Sequence, residues 1–217
     1  MIRDLIFDFD GTLADTSLGI VRCTQATLQE LGLPASTPER IRSTIGLPLP
    51  DCFSRGTDTP PALVEEACAT YRRLFNDIAV PCIILFPGVA ETLAELRSRG
   101  FRMSIATSRG SASLRMLLGR MGVLDYFCAM AASDTVTRHK PAPDPALSVL
   151  EQAGGRAAES VVVGDTVFDI RMGQAAGCRT CGVTWGNQDR PQLESEYPEL
   201  IIDDFRELLA YCIERAD

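Results

Sequence analysis

Residues 5–12 of the chain read LIFDFDGT, and this stretch indicates both a fold class and a candidate functional site. Its apolar start is a strand candidate, and side chains alternate in an extended chain, so Asp8 and Asp10 face the same way. Gly11 permits a sharp turn directly after them. Two carboxylates about 4 Å apart repel each other by about 4 kcal/mol at an effective dielectric constant near 20. The pair therefore requires a shared proton or a bound cation, unless it is only a solvated strand end.

The composition predicts a soluble globular protein. The 217 residues include 21 basic and 29 acidic ones, a formal net charge of −8, which argues against nucleic-acid or anionic-membrane partners. The longest apolar-leaning uncharged stretch, residues 78–90, is interrupted by prolines and too short to cross a bilayer. The start of the chain shows no signal-peptide pattern, and the eight scattered cysteines do not predict a disulfide framework. We therefore expect a cytoplasmic protein, either a monomer or a homodimer.

The pattern of apolar residues predicts strands that alternate with helices over most of the chain. Strand candidates lie at residues 5–7, 102–106, 160–163 and 180–184. Helical spacing is clearest at Leu114, Leu117, Leu118 and Met121, and again at Phe205, Leu208, Leu209 and Cys212. This alternation predicts an α/β fold in which helices cover both faces of a Rossmann-like parallel sheet.

One long segment departs from this alternation. Residues 16–86 contain helical patterns around Val21–Leu31 and Val64–Phe75, and a helix start at Thr37-Pro38. We interpret this segment as a helical cap domain inserted after the first strand. The predicted core domain comprises residues 1–15 and 87–217.

A second pair of acids follows a later strand candidate. Asp165 comes directly after the apolar residues 160–163 and Gly164, and Asp169 lies one helical turn further on. Ligands of parallel sheets bind at the carboxyl ends of the strands, where Asp8 and Asp10 are also expected. The four carboxylates predict an oxygen-only site for a hard cation such as Mg²⁺.

Two other segments predict a phosphate site at the same edge. Thr107, Ser108 and Arg109 follow the strand candidate 102–106 and offer hydroxyl and amide donors where a helix begins. Lys140 is held among prolines and supplies a positive charge for phosphate. Taken singly, Thr107 is also compatible with a helix cap and Lys140 with a solvated lysine.

These motifs resemble the haloacid dehalogenase-like phosphohydrolases with a helical cap, in the phosphoglycolate phosphatase-like branch. The matching residues occur in the family's order, as Asp8-x-Asp10-Gly11-Thr12, Thr107, Lys140-Pro141 and Gly164-Asp165-Thr166-x-x-Asp169. Pro87-Gly88 matches the family's usual return from cap to core. The resemblance covers essentially the whole chain.

The resemblance implies a Mg²⁺-dependent phosphatase that forms an aspartyl-phosphate on Asp8. Asp10 would protonate the leaving oxygen and then activate water. The resemblance also implies that Asp8, the Asp10 carbonyl, Asp165 and Asp169 hold or support the Mg²⁺. Thr107 and Lys140 would bind phosphoryl oxygens.

The cap is expected to choose among small phosphate monoesters. The resemblance favours phosphoglycolate, with pyrophosphate, nucleotides and sugar phosphates as alternatives. Thr16, near the hinge, and Gly46, in a turn similar to a substrate-facing cap loop, are candidate substrate contacts. Arg42 and Arg55 are compatible with an anionic substrate tail or with solvated surface charge. His139, the single histidine, matches no catalytic residue of the family.

Two other functions stay open at this stage. A phosphotransferase similar to β-phosphoglucomutase shares the scaffold, although its last acidic motif usually differs from Gly164-Asp165-Thr166 with Asp169. A binding module on the same scaffold is expected to lack at least one motif residue, and the sequence retains all of them.

Overall fold

The protein is described by a computed structural model over residues 1–215. The strands are β1 (Asp4–Phe7), β2 (Ala14–Asp15), β3 (Ile84–Leu85), β4 (Arg102–Ala106), β5 (Phe127–Ala131), β6 (Ser160–Gly164), β7 (Arg179–Val183) and β8 (Leu200–Ile202). The α-helices are α1 (Ser17–Glu30), α2 (Pro38–Arg42), α3 (Leu49–Gly56), α4 (Val64–Ile78), α5 (Val89–Ser98), α6 (Ser111–Arg120), α7 (Asp144–Ala153), α8 (Val167–Ala175), α9 (Arg190–Glu194) and α10 (Phe205–Ile213).

The main sheet of the described residues has the strand order β5-β4-β1-β6-β7-β8, and every neighbouring pair is parallel. The predicted α/β fold class is therefore confirmed. β1 lies between β4 and β6, with Phe7 in register with Ile105 on one side and Val163 on the other. The carboxyl ends of these three strands consequently meet at one edge of the sheet.

Alternate residues of β1 pack into two different apolar cores, as expected for a parallel strand covered on both faces. Leu5 and Phe7 belong to the larger core, which includes Leu93 of α5 and Phe205 of α10. Ile6 belongs to the smaller core, with residues from α7 and α8. This two-sided burial holds the end of β1 firmly in place.

Sequence patterns did not predict four of the strands. β5 has the sequence FCAMA, and because alanine is a weak strand former, the composition of this segment does not indicate a strand. β8 has only three residues, and β2 and β3 form a two-residue antiparallel pair. Such short strands depend on partners that are distant in sequence.

The segment between β2 and β3 is helical. It contains α1 to α4, and α2 begins as predicted, with the Thr37 side chain accepting a hydrogen bond from the Arg40 N–H. The division into a core (1–15 and 87–217) and a cap (16–86) stays a prediction, and its residues 216–217 lie outside the described part. Within residues 1–215, no helix combines the length and apolar character that a bilayer crossing requires.

Candidate active site

Three predicted site residues follow directly after neighbouring strands. Asp8 comes after β1, Thr107 after β4 and Asp165 after β6. The three residues are 2%, 2% and 0% exposed. Parallel pairing thus brings together side chains that are about 60 to 160 positions apart in the sequence.

Lys140 joins two of the acids. Its Nζ lies 2.7 Å from Oδ1 of Asp8 and 2.5 Å from Oδ1 of Asp169. Burial lowers the pKa of Lys140, but Asp169 and Asp8 outweigh this effect and keep the pKa above its ordinary value. The lysine is therefore a permanent positive charge behind Asp8.

The other oxygen of Asp8 has no assigned partner. Its Oδ2 is buried and, among the described residues, accepts no hydrogen bond. Burial raises the pKa of Asp8 to about 8, with Lys140 opposing this rise and Asp169, Asp165 and Asp10 adding to it. A buried carboxylate oxygen without a hydrogen-bond partner lowers the stability of the fold unless a bound ligand supplies the missing contact.

Asp8, Asp165 and Asp169 form an acidic cluster whose ligand atoms all lie within 4.8 Å of one another. Burial raises the pKa of Asp165 to about 7, and Asp169 adds to the rise. A hard divalent cation with oxygen ligands would offset this crowding of negative charge. The cluster therefore fits the predicted Mg²⁺ site.

Asp169 is the most heavily engaged member of the cluster. Besides Lys140, it accepts hydrogen bonds from the backbone N–H of Thr166, at 3.0 Å, and from the Thr166 hydroxyl, at 2.7 Å. The bond from the Thr166 backbone N–H is one half of the capping box that starts α8. Asp169 thus supports Lys140 and the β6–α8 turn as well as the cluster.

Asn187 belongs to the site although sequence analysis did not single it out. Its backbone nitrogen and its Nδ2 lie 2.7 and 2.8 Å from Oδ2 of Asp165 and donate hydrogen bonds to it. The other oxygen of Asp165, Oδ1, accepts a hydrogen bond from the Thr12 hydroxyl at 3.0 Å. Nδ2 also lies 3.5 Å from the Asp10 carbonyl. Asn187 follows β7, so the rule that ligands gather at strand ends was the available signal.

Gly11 leaves the space in which this arrangement fits. Its φ is +88°, and a Cβ there would lie 2.3 Å from Oδ2 of Asp165 and from Nδ2 of Asn187. Both the turn after β1 and the close approach of Asp165 therefore require glycine.

Arg109 is paired with Asp10. Its Nε and Nη2 lie 3.0 and 2.5 Å from the two carboxylate oxygens, in a bidentate arrangement. The guanidinium also lies against the rings of Phe9 and Phe75, 5.6 and 5.0 Å from their centroids. Arg109 was predicted as a substrate contact, and here its charge is directed at Asp10.

Thr107 and Ser108 differ in how their hydroxyls are used. The Thr107 hydroxyl accepts the Arg109 backbone N–H at 3.2 Å and keeps its own proton free to donate. The Ser108 hydroxyl is buried and has no partner among the described residues. Both hydroxyls are thus available for an oxygen-rich ligand.

A cavity of about 500 Å³ lies between the strand ends and helices α1 to α4. Asp8, Asp10, Thr107, Ser108 and Arg109 contribute to its walls. Lys140, Asp165 and Asp169 lie behind Asp8, outside that wall. A ligand in the cavity thus meets Asp8, whose Oδ1 is held by a lysine that does not line the cavity.

The predicted cap residues are placed differently from one another. Gly46 lines the cavity, whereas Thr16 is 1% exposed and lies away from its wall. Arg42 contacts the Ser17 hydroxyl and Arg55 lies near Asp51, both on the exposed surface outside the cavity. His139 is half-buried beside Lys140, and its carbonyl accepts the Ala142 N–H.

Comparisons with known proteins agree with this geometry. The family model described as haloacid dehalogenase-like hydrolase matches residues 5–183. The chain is 37% identical over 209 residues to "Probable phosphatase IndB" of Dickeya dadantii, covering 94% of this chain and 91% of that protein. It is 33% identical over 213 residues to "Phosphoglycolate phosphatase" of Pectobacterium atrosepticum, covering 96% and 91% of the two chains.

A solved structure shows the same fold. A hydrolase of the haloacid dehalogenase-like family from Streptococcus pneumoniae superposes with a TM-score of 0.86 at 26% identity. The superposition covers 97% of this chain and 98% of the other. The similarity therefore extends over the sheet and the helical segment together.

Proposed function

The chain belongs to the haloacid dehalogenase-like hydrolases and is a phosphatase, and we propose that it hydrolyses small phosphate monoesters through a phosphorylated Asp8. One observation carries the proposal. Oδ2 of Asp8 is a buried carboxylate oxygen that accepts no hydrogen bond from the described residues, and Asp8 lines the cavity while Lys140 holds its other oxygen. The free oxygen is thus placed to attack phosphorus.

The proposed reaction has two displacements. Oδ2 of Asp8 forms a bond to phosphorus, the ester P–O bond breaks, and the leaving oxygen takes a proton from Asp10. Water then attacks the phosphoryl group, and Asp10 accepts a proton from that water. Inorganic phosphate leaves, and the Asp8 carboxylate is restored.

Asp10 has to separate partly from Arg109 for this role. Both of its carboxylate oxygens accept hydrogen bonds from the guanidinium, so a proton on Asp10 displaces at least one of them. The arginine then has donors to spare for a phosphoryl oxygen. Arg109 accordingly binds Asp10 and a phosphoryl oxygen of the substrate in turn.

The remaining polar groups balance phosphoryl charge. The Thr107 and Ser108 hydroxyls donate to phosphoryl oxygens, and Lys140 offsets negative charge at Asp8. Asp8, Asp165 and the Asp10 carbonyl would hold Mg²⁺, with Asp169 in support. When bound, Mg²⁺ supplies positive charge for the phosphoryl oxygens and relieves repulsion among the acids.

The identity of the ester is a separate matter. Phosphoglycolate, which the resemblance favours, is the substrate named for several relatives and stays a prediction for this chain. Pyrophosphate, nucleotides and sugar phosphates are its competitors. Phosphate transfer within a sugar, or binding without turnover, are the alternatives to hydrolysis.

Replacing the nucleophile tests the proposal. Asp8→Asn keeps the size of the side chain but removes the attacking carboxylate, so kcat for phosphate release should fall by about 10³-fold or more. Asp4→Asn is the matched control, because Asp4 begins the same strand and pairs with Arg102 far from the cavity. Its kcat should stay within about twofold of wild type, with some loss of stability.

Chelation supplies the second arm of the test. Removal of divalent cations should abolish phosphate release, and added Mg²⁺ should restore it. Full activity of Asp8→Asn, or of the chelated protein, contradicts the proposal. A trapped phosphoryl group on Asp8, detected by mass spectrometry of the wild-type protein, would support it directly.

A further inference from the structure

The cavity over Asp8 has a wall made mainly of hydrocarbon. Residues of α1 to α4 and of the loop before α3 supply it: Ile20, Ile41, Ile45, Leu47, Leu49, Phe53 and Phe75. Asp8, Asp10 and Thr107 lie on the opposite side, where the strands of the main sheet end, and Thr24, Tyr71 and Asn76 add single polar groups to the helical side. The part of a substrate beyond its phosphoryl group therefore faces apolar side chains.

The cavity is large for a two-carbon substrate. Its volume is about 500 Å³, within the range of roughly 300–1,000 Å³ that buries drug-sized ligands. A glycolate tail would leave most of the apolar wall in contact with water. A longer hydrocarbon tail would displace that water and gain free energy from burial.

The cavity also offers an anionic tail no unpaired buried cation among the described residues. Arg109 is the buried cation of the wall, and Asp10 already accepts both halves of its guanidinium. Arg72, the other cation of the lining, is exposed to solvent, where water weakens its attraction for an anion. Among the described lining residues, a tail carboxylate thus finds no buried cation that is free of a carboxylate partner.

Some of the polar groups in the wall are engaged within the protein. The Thr44 hydroxyl donates to the Ile41 carbonyl at 2.8 Å, and the Cys52 thiol lies 3.2 Å from the Thr44 carbonyl. The Ser113 hydroxyl accepts a hydrogen bond from Arg109 at 2.9 Å. These three groups are engaged within the protein, whereas the side chains of Thr24, Tyr71 and Asn76 leave a few hydrogen-bonding groups beside the hydrocarbon contacts.

We infer that the substrate is a phosphate monoester of a mainly apolar alcohol, alkyl or aryl, larger than glycolate. This inference rests on the proposed phosphatase function and specifies the substrate class of the same site. The phosphoryl group sits on Asp8, Thr107 and Ser108, and the apolar tail packs against Leu47 and its neighbours. Specificity then comes from hydrophobic burial rather than from a second charged contact.

A series of n-alkyl phosphates tests the inference, because their leaving alcohols are chemically alike. With Mg²⁺ present, kcat/KM measured by phosphate release should rise about twofold to fourfold for each methylene from methyl to butyl to hexyl phosphate. Phosphoglycolate should be hydrolysed less efficiently than butyl phosphate. A flat series, or phosphoglycolate above hexyl phosphate, overturns the substrate class while leaving the phosphatase function intact.

Hydrolysis of none of these esters instead overturns the proposed function, and the inference with it. A binding measurement keeps the two apart, since hexylphosphonate cannot be hydrolysed. By calorimetry it should bind at least about tenfold more tightly than methylphosphonate. Equal affinities would contradict the apolar tail site.

A variant of the wall gives a second readout. Leu47→Lys places a positive charge in the cavity, so the ratio of kcat/KM for hexyl phosphate to that for phosphoglycolate should fall about tenfold or more. Leu18→Lys is the matched control, because Leu18 is 45% exposed on α1 and lies outside the cavity. Its ratio should equal that of wild type. An unchanged ratio in Leu47→Lys overturns the assignment.

Discussion

Asn187 shows how a single residue can orient a carboxylate, here through its backbone N–H and its side-chain amide. Two of its N–H groups hold one oxygen of Asp165, while Thr12 holds the other. Asp165 therefore presents fixed lone pairs to the space shared with Asp8. Groups that orient metal ligands in this way commonly affect metal affinity about 10- to 100-fold.

Removing the side-chain amide of Asn187 should weaken Mg²⁺ binding at the acidic cluster without abolishing it. In Asn187→Ala, the Mg²⁺ concentration for half-maximal activity should increase about 10-fold or more, with a smaller change of kcat at saturating Mg²⁺. Asn76→Ala is the control, since Asn76 is an exposed residue of the cavity lining and, among the described residues, bonds none of the acids. An unchanged Mg²⁺ dependence in Asn187→Ala would show that Asp165 needs no such support.

At the scale of elements, the loop between α2 and α3 contacts the loop between β6 and α8. Gly46 has φ +101°, and a Cβ there would lie 3.4 Å from Cγ2 of Thr166. Thr166 follows Asp165 in the chain and binds Asp169. The loop that carries Gly46 thus rests on the turn that carries two of the acids.

A side chain at Gly46 should disturb this contact. Gly46→Ala imposes an unfavourable φ on a loop that touches Thr166, so kcat/KM should fall about tenfold, together with a loss of about 1–2 kcal/mol of unfolding free energy. Gly32→Ala is the control for backbone strain, because Gly32 has φ +61° and open space around it. Its unfolding free energy should fall similarly while kcat/KM stays within about twofold. Equal kinetic losses in both variants would assign no functional role to the Gly46 contact.

At the scale of the whole molecule, the buried acids link stability to pH. In the folded protein the pKa values of Asp8 and Asp165 are about 8 and about 7, above the ordinary aspartate value of 3.8 that applies to the unfolded chain. Between about pH 4 and pH 8 the folded chain therefore binds more protons than the unfolded chain. As the pH rises through this range, the two acids lower the stability of the metal-free protein. Mg²⁺ binds the deprotonated acids and should reverse that loss.

The increase in Tm caused by Mg²⁺ should therefore be larger at about pH 8.5 than at about pH 5.5. At a Mg²⁺ concentration about 100 times its Kd, the gain at the higher pH should be about 5–10 °C. Thermal unfolding followed by fluorescence, in chelator and in Mg²⁺, measures it. Asp165→Asn should lose the gain and Asp4→Asn should keep it. A gain independent of pH would indicate that Mg²⁺ binds elsewhere.

Much of the fold was accessible from local sequence patterns. The strand at 102–106 was predicted with the bounds of β4, and the strands at 160–163 and 180–184 were predicted to within one residue at each end. These strands are buried apolar runs followed by glycine or polar residues, so short-range signals suffice. β5 and β8 were missed because their strand conformation depends on pairing with β4 and β7.

The sequence by itself determined which acids end the central strands and hence that Asp8 and Asp165 meet, because parallel pairing of apolar runs aligns their carboxyl ends. Only the tertiary structure decided that Arg109 pairs with Asp10, that Asn187 holds Asp165 and that α1 to α4 line the cavity with hydrocarbon. Those contacts join segments far apart in the chain. They depend on how loops and helices pack in three dimensions, which the periodicity of a single segment does not encode.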